Sequence, residues 1–351
     1  MKNTIATLII AAFIFAGCHK ADDNTPDTFP ATEQTVLNDF TDDVAIAQYS
    51  DLQNAANDLN AKITALNNDA TDANLTAAQN SWKSLRTVWE QCEGFLFGPV
   101  EDKEYDPQMD TWPTDANQFD SVLNSSNALE VADIVALPYN LRGFHPVEYL
   151  IFGEDGNRTA ASLNARQKKY MVSATTDIVN ICSELYNSWT EGTSAFGKQV
   201  KTAGSGSTVY TTKQEAFMAI VGAMQGICEE VGEGKMKEPF DAKDPAIVES
   251  PYSGNSTTDF KNNITGLRTV YLGNGSSGIT SLVSLRDKSL DNDIKAQISA
   301  AINAFDLISV PYEQAIIDQR AQVQQVMNAI GALSETIEER LLPFIQQQVK
   351  D

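Results

Sequence analysis

The sequence predicts an all-α protein built as two packed antiparallel helical bundles. Apolar residues recur at helical spacing along most of the 351-residue chain, and alternating β patterns with hairpin turns are almost absent. The run Gly204-Ser205-Gly206-Ser207 then breaks the helical stripes into two halves, giving bundles over 34–203 and 208–351.

The N-terminus reads as an export signal. Lys2 precedes an apolar run from Ile5 to Phe15 and the small residues Ala16-Gly17 before Cys18. This run is too short to remain as a spanning helix, so 1–17 is expected to be a signal peptide. Small residues before a cysteine resemble the lipobox of bacterial lipoproteins, which makes Cys18 the expected lipidation site. Residues 18–33 are polar and proline-bearing and are expected to act as a flexible tether. Lys20, Asp22 and Asp23 look like an acidic export tag for surface display. The expected location is therefore the cell envelope, with a lipid anchor in the outer membrane as the only membrane contact.

The helical stripes follow in order. Val36, Phe40, Val44, Leu52, Leu59, Ile63 and Leu66 form the first, and Leu75, Ala78, Trp82, Leu85, Trp89, Cys92 and Leu96 the second. Met171 to Trp189, Phe217 to Val231 and Ile316 to Leu341 carry three more. Gly98-Pro99 opens a long irregular segment through Trp112-Pro113, and Pro239 to Gly254 is another. Leu85-Arg86-Thr87-Val88-Trp89 resembles Leu267-Arg268-Thr269-Val270-Tyr271, a hint of internal duplication.

A net charge of −22 argues against nucleic acid or an anionic membrane surface as partner. Beyond Cys18 stand Cys92, Cys182 and Cys228, an odd number at wide spacing on apolar stripes. They read as buried free thiols, neither a disulfide framework nor a zinc finger.

Of the 2 histidines, only His145 lies in the body of the chain; His19 is in the polar tail. His145 sits in Gly143-Phe144-His145-Pro146-Val147-Glu148, three residues before Glu148, so the two share a helical face. The following proline disfavours α conformation at His145, which places His145 at the N-cap and Glu148 at the third helical position. Two readings stay open: a capping box, or a pair of metal ligands. A second pair, Glu90 and Glu93, is again three apart. Taking about 100° per residue, Glu93 lies about 40° from Trp89, beside the buried stripe, where a carboxylate requires a cation or hydrogen bonds. Arg86, four residues before Glu90, offers an ordinary ion pair that accounts for Glu90 better than for Glu93.

The order of Trp89-Glu90, Glu93-Gly94-Phe95, Phe97-Gly98-Pro99, Asp110-Thr111-Trp112-Pro113 and Gly143-Phe144-His145-Pro146-Val147-Glu148-Tyr149 resembles the imelysin family of bacterial envelope proteins. Glu249-Ser250-Pro251-Tyr252-Ser253-Gly254 and Gly266 to Gly273 extend the resemblance into the second half. It implies two helical bundles with a metal site near their junction. Carried over by residue, the implied ligands are His145, Glu148, Glu90, Glu93 and Asp110, with Asp106 as the alternative to Asp110. It also implies either a peptidase or an iron-uptake accessory protein.

The donor set discriminates between these. Catalytic zinc takes three protein ligands rich in histidine, and the helical HExxH motif is absent. One imidazole with several carboxylates suits iron, manganese or calcium better than zinc. The expected function is therefore iron or haem acquisition, with envelope uptake components as partners. A zinc-dependent metallopeptidase is the first alternative, and a surface interaction protein whose charged cluster holds no metal is the second.

Overall fold

The computed structural model describes residues 27–350. Among them every regular element is helical. The signal peptide, Cys18 and the first part of the expected tether lie outside the described residues.

Helix α1 (Phe29–Asp39) continues through a π-helical turn, Phe40–Ile46, into α2 (Ala47–Asn68). The tether expected to reach residue 33 therefore ends by Phe29. That ring is 2% exposed, stands edge-on to Phe344 and lies under Arg286, so burial of an aromatic side chain holds the segment down. Thr71 caps α3 (Asp72–Cys92) by accepting from the Asn74 amide.

The segment expected to be irregular after Gly98 contains two short helices, Pro99–Asp102 and α4 (Tyr105–Asp110). After two further short helices, Ala116–Asn124 and Val131–Val135, come α5 (Phe144–Phe152) and α6 (Ala165–Thr190), the latter opened by a capping box between Asn164 and Gln167. The second half is built on α7 (Lys213–Glu229), α8 (Ser256–Leu272), α9 (Lys288–Ala304) and α10 (Arg320–Thr336). The stretch after Pro239 is likewise part helix, Lys237–Ala242, and part 3-10 turn, Pro245–Ile247.

In the first half α2 packs between α3 and α6, and α5 lies against both α3 and α6. In the second, α9 packs on α10, while α7 and α8 complete the group. The apolar stripes read from the sequence are buried in one continuous core, and Cys92, Cys182 and Cys228 are buried free thiols within it.

Helices α3 and α8 join the halves, and glycines set how closely. A Cβ on Gly266 would lie 2.1 Å from the Gln91 carbonyl oxygen, and one on Gly94 would lie 2.5 Å from Gly266 and Leu267 backbone atoms. The backbones thus touch where the end of α3 delivers Glu90 and the 3-10 turn after it, Glu93–Phe95, delivers Glu93. The two similar pentapeptides fall on these two helices, which by itself establishes no duplication.

Candidate metal centre

A cluster of charged side chains is buried at the junction. Glu90, Glu93, Asp110, Glu148, Glu249 and Asp259 are each no more than 3% exposed, as are Arg86, His145 and Lys235. Burial of six carboxylates with two permanent cations and one imidazole is costly unless they are paired or hold a further cation.

Helix α5 begins differently from the sequence expectation. Gly143, with φ of 83°, is the N-cap, so His145 is inside the first turn rather than at the cap. Amides of the first turn have no intrahelical partner, so Pro146 is tolerated there and His145 adopts helical conformation despite preceding it. Nor does Glu148 reach back as the acid of a capping box. Its Oε1 accepts from the Ser253 amide at 2.8 Å and the Ser253 hydroxyl at 2.7 Å, while Oε2 lies 3.3 Å from His145 Nδ1. Glu148 thereby fixes the imidazole with Nε2 facing Asp110 Oδ1 at 2.9 Å.

Asp110 is the hub. Trp89 Nε1 donates to its Oδ2 at 2.6 Å, and the Arg86 guanidinium donates to Oδ1. Arg86 also pairs with Glu90 on its own helix, as its spacing predicts, and with Glu249 Oε1 at 2.9 Å. Its charge is flanked by the Trp82 and Phe144 rings.

Glu93 is held by Lys235 Nζ at 2.8 Å and by Asn263 Nδ2 at 2.5 Å, and Asn263 also donates to Glu90 Oε2 at 2.7 Å. Lys235 further touches Glu249 Oε1 at 3.0 Å and lies over the Trp112 ring. Of the five residues implied as ligands, Glu90, Glu93, Asp110 and His145 offer atoms to two groups sharing Asp110, whereas Glu148 belongs to neither and meets the cluster only through the His145 ring. One ligand atom each from Asp110, His145 and Glu249 lie within 4.8 Å of one another, and the same holds for Glu90, Glu93 and Asp110.

Titration follows the pairing. Burial pushes Asp110 up, but the Arg86 guanidinium and the His145 hydrogen bond outweigh it and hold the carboxyl well below the usual range. Burial pushes His145 down, and the hydrogen bonds to Asp110 and Glu148 overcome it, carrying the imidazole up to about 9. Burial, only partly opposed by Lys235, raises Glu249 to about 7. Glu93 is also raised, by burial and the Glu90 charge.

Sequence reasoning passed over Lys235, Glu249, Asp259 and Asn263 as site residues. Glu249 was visible within the second-half signature, but nothing in its spacing marked it. Lys235 lies in a π-helical turn, Glu230–Lys235, where the 3.6-residue period gives no guide to which side chain faces inward.

The imelysin family model matches residues 45–340. The chain belongs to the imelysin family. A relative, iron-regulated protein A of Synechococcus elongatus, is 29% identical over 324 residues, covering 90% of this chain and 87% of its own. A crystal structure from Parabacteroides distasonis, described as an iron-regulated protein A precursor, superposes with a TM-score of 0.82 at 24% identity, covering 91% of this chain and 95% of that one. An imelysin-like protein from Psychrobacter arcticum gives 0.76 at 15% identity, over 92% and 98% of the two chains. These structures share the all-helical imelysin fold.

Proposed function

We propose that this imelysin binds a hard or borderline cation, iron foremost, in the buried junction cluster and takes part in iron acquisition at the cell envelope. The observation that carries it is the excess of buried carboxylate. Glu249 Oε2 and Asp259 Oδ2 have no hydrogen-bond partner although Arg86, His145 and Lys235 are all engaged. Asp110, His145 through Nε2, and Glu249 are the proposed ligands, with Glu90 and Glu93 beside them. Glu148 orients the imidazole. One nitrogen among oxygens suits iron or manganese, with zinc and calcium as competitors to be tested. The iron-regulated names of the relatives point the same way.

Metal analysis of the purified protein and anaerobic titration with Fe²⁺ test this. His145→Ala should weaken Fe²⁺ binding by about tenfold or more with helical content unchanged. Equal binding by the variant would remove His145 from the site. The ion pairs of Arg86 and Lys235 favour a second reading, a self-neutralised network in a surface interaction protein. Failure of the wild type to bind any of these cations selects it. Peptidase activity is expected to be undetectable, because one imidazole leaves the zinc ligand set short of histidine.

No helix among the described residues is long and apolar enough to cross a membrane. Envelope attachment is proposed through Cys18 alone. Mass spectrometry of the native protein should find a diacylglyceryl group there, and a free amine at His19 would remove the anchor.

A further inference from the structure

Lys235 occupies the place a cation would take. Its side chain is wholly buried, and its ammonium lies 2.8 Å from Glu93, 3.0 Å from Glu249 and 3.6 Å from Glu90. Those are the carboxylates that also make up the two ligand groups around Asp110. An ammonium and a metal ion amid the same oxygens repel one another and compete for the same lone pairs, so each weakens the hold on the other.

Lys235 has a way out. Its fourth partner, Glu230 Oε1 at 3.4 Å, is 38% exposed, whereas the other three are buried. Glu93 and Glu230 both line an open cleft of about 560 Å³ whose rim also carries Glu101, Glu104 and Asp106. One end of the ammonium's reach is thus the buried cluster and the other is Glu230, on an open cleft whose carboxylates stand among apolar residues such as Leu96, Phe97 and Ile227. The lysine stem has four flexible carbons, and it rises from a π-helical turn rather than from a regular helix.

We propose that Lys235 is a built-in competitor for the cation. It neutralises the cluster carboxylates while no ion is present, and an ion entering through the Glu93–Glu230 cleft displaces its ammonium outward onto Glu230. This inference rests on the cation-binding reading above. It adds that apparent affinity is set by an exchange of one cation for another, not by filling a vacant site.

The test uses Mn²⁺ as probe, followed by electron paramagnetic resonance, on the wild type and Lys235→Met. Removing the competing charge should tighten Mn²⁺ binding by about tenfold or more. In parallel, wild type with and without Mn²⁺ is treated with an amine-acetylating reagent and mapped by mass spectrometry. Lys235 should be protected in the metal-free protein and acetylated when Mn²⁺ is bound. A folded Lys235→Met protein that binds Mn²⁺ no more tightly than wild type overturns the proposal. So does a Lys235 that stays protected in Mn²⁺-loaded wild type, a result that decides the matter even if the variant fails to fold. If neither protein gives a bound Mn²⁺ signal, the cation-binding reading itself fails, and the exchange with it.

Discussion

A Cβ on Gly143 would stand 2.2 Å from the Met109 carbonyl oxygen, at a backbone φ of 83° that side chains rarely adopt. Glycine is what allows α5 to start against the end of α4, and so puts His145 beside Asp110. Gly143→Ala should therefore destabilise the protein by about 1–3 kcal/mol or more, read by urea denaturation, and should also weaken cation binding. The motif's glycine and histidine were legible in the sequence, and so was the pairing of Arg86 with Glu90. The helical state of His145 was not, because the rule against α conformation before proline gives way in a first turn fixed by a glycine cap. The paired groups also set a pH response. His145 is raised from 6.5 to about 9, so its stabilising contribution is full below 6.5 and is lost as pH rises through about 9. Glu249, raised from 4.5 to about 7, retains its proton only when folded, so stability falls as pH rises between those values. Chelator-treated protein should accordingly melt at progressively lower temperature from mildly acid to alkaline pH. His145→Gln should flatten the upper part of that profile, and a wild-type melting temperature that rises over this range would contradict the assignment.

At the scale of elements, the long amphipathic helices were readable because a stripe of several turns fixes both type and buried face. Trp82, Leu85 and Trp89 on α3 are fully buried as their spacing requires. The helices Pro99–Asp102 and Tyr105–Asp110 were missed because one or two turns between prolines carry no period to detect. Helix α9 was passed over as well, although Leu290, Ile294, Ile298 and Ala301 form a buried stripe. The α3–α8 crossing was also hidden, since single glycines inside helices ordinarily signal lowered propensity rather than contact. Gly266→Ala would press a methyl onto the Gln91 carbonyl and force the helices apart. The expected cost is about 1–3 kcal/mol by denaturant titration, with Asn263 drawn away from Glu90 and Glu93. If stability is unchanged, the close approach does not govern the junction.

At the scale of the molecule, the division read from the Gly/Ser run at 204–207 does not divide the charges. Arg86, Asp110 and His145 come from the first half, while Lys235, Glu249 and Asp259 come from the second. Arg86 needs Glu249, and Glu93 needs Lys235 and Asn263, each reaching across the junction. Losing one partner of a buried pair costs about 3–5 kcal/mol, a large share of the 5–15 kcal/mol by which a typical domain is stable. Residues 34–203 expressed alone should therefore fail to give a cooperative thermal transition, and so should 208–351. The intact chain should melt in one transition, reported alike by circular dichroism and tryptophan fluorescence. Saturating cation at about a hundred times its Kd should add about 2.7 kcal/mol to that single transition rather than splitting it. A cooperative melt from the isolated first half would mean that its core alone tolerates Arg86 and Glu93 without their partners, and the junction cluster would then be an addition to two independent bundles rather than the joint that holds them.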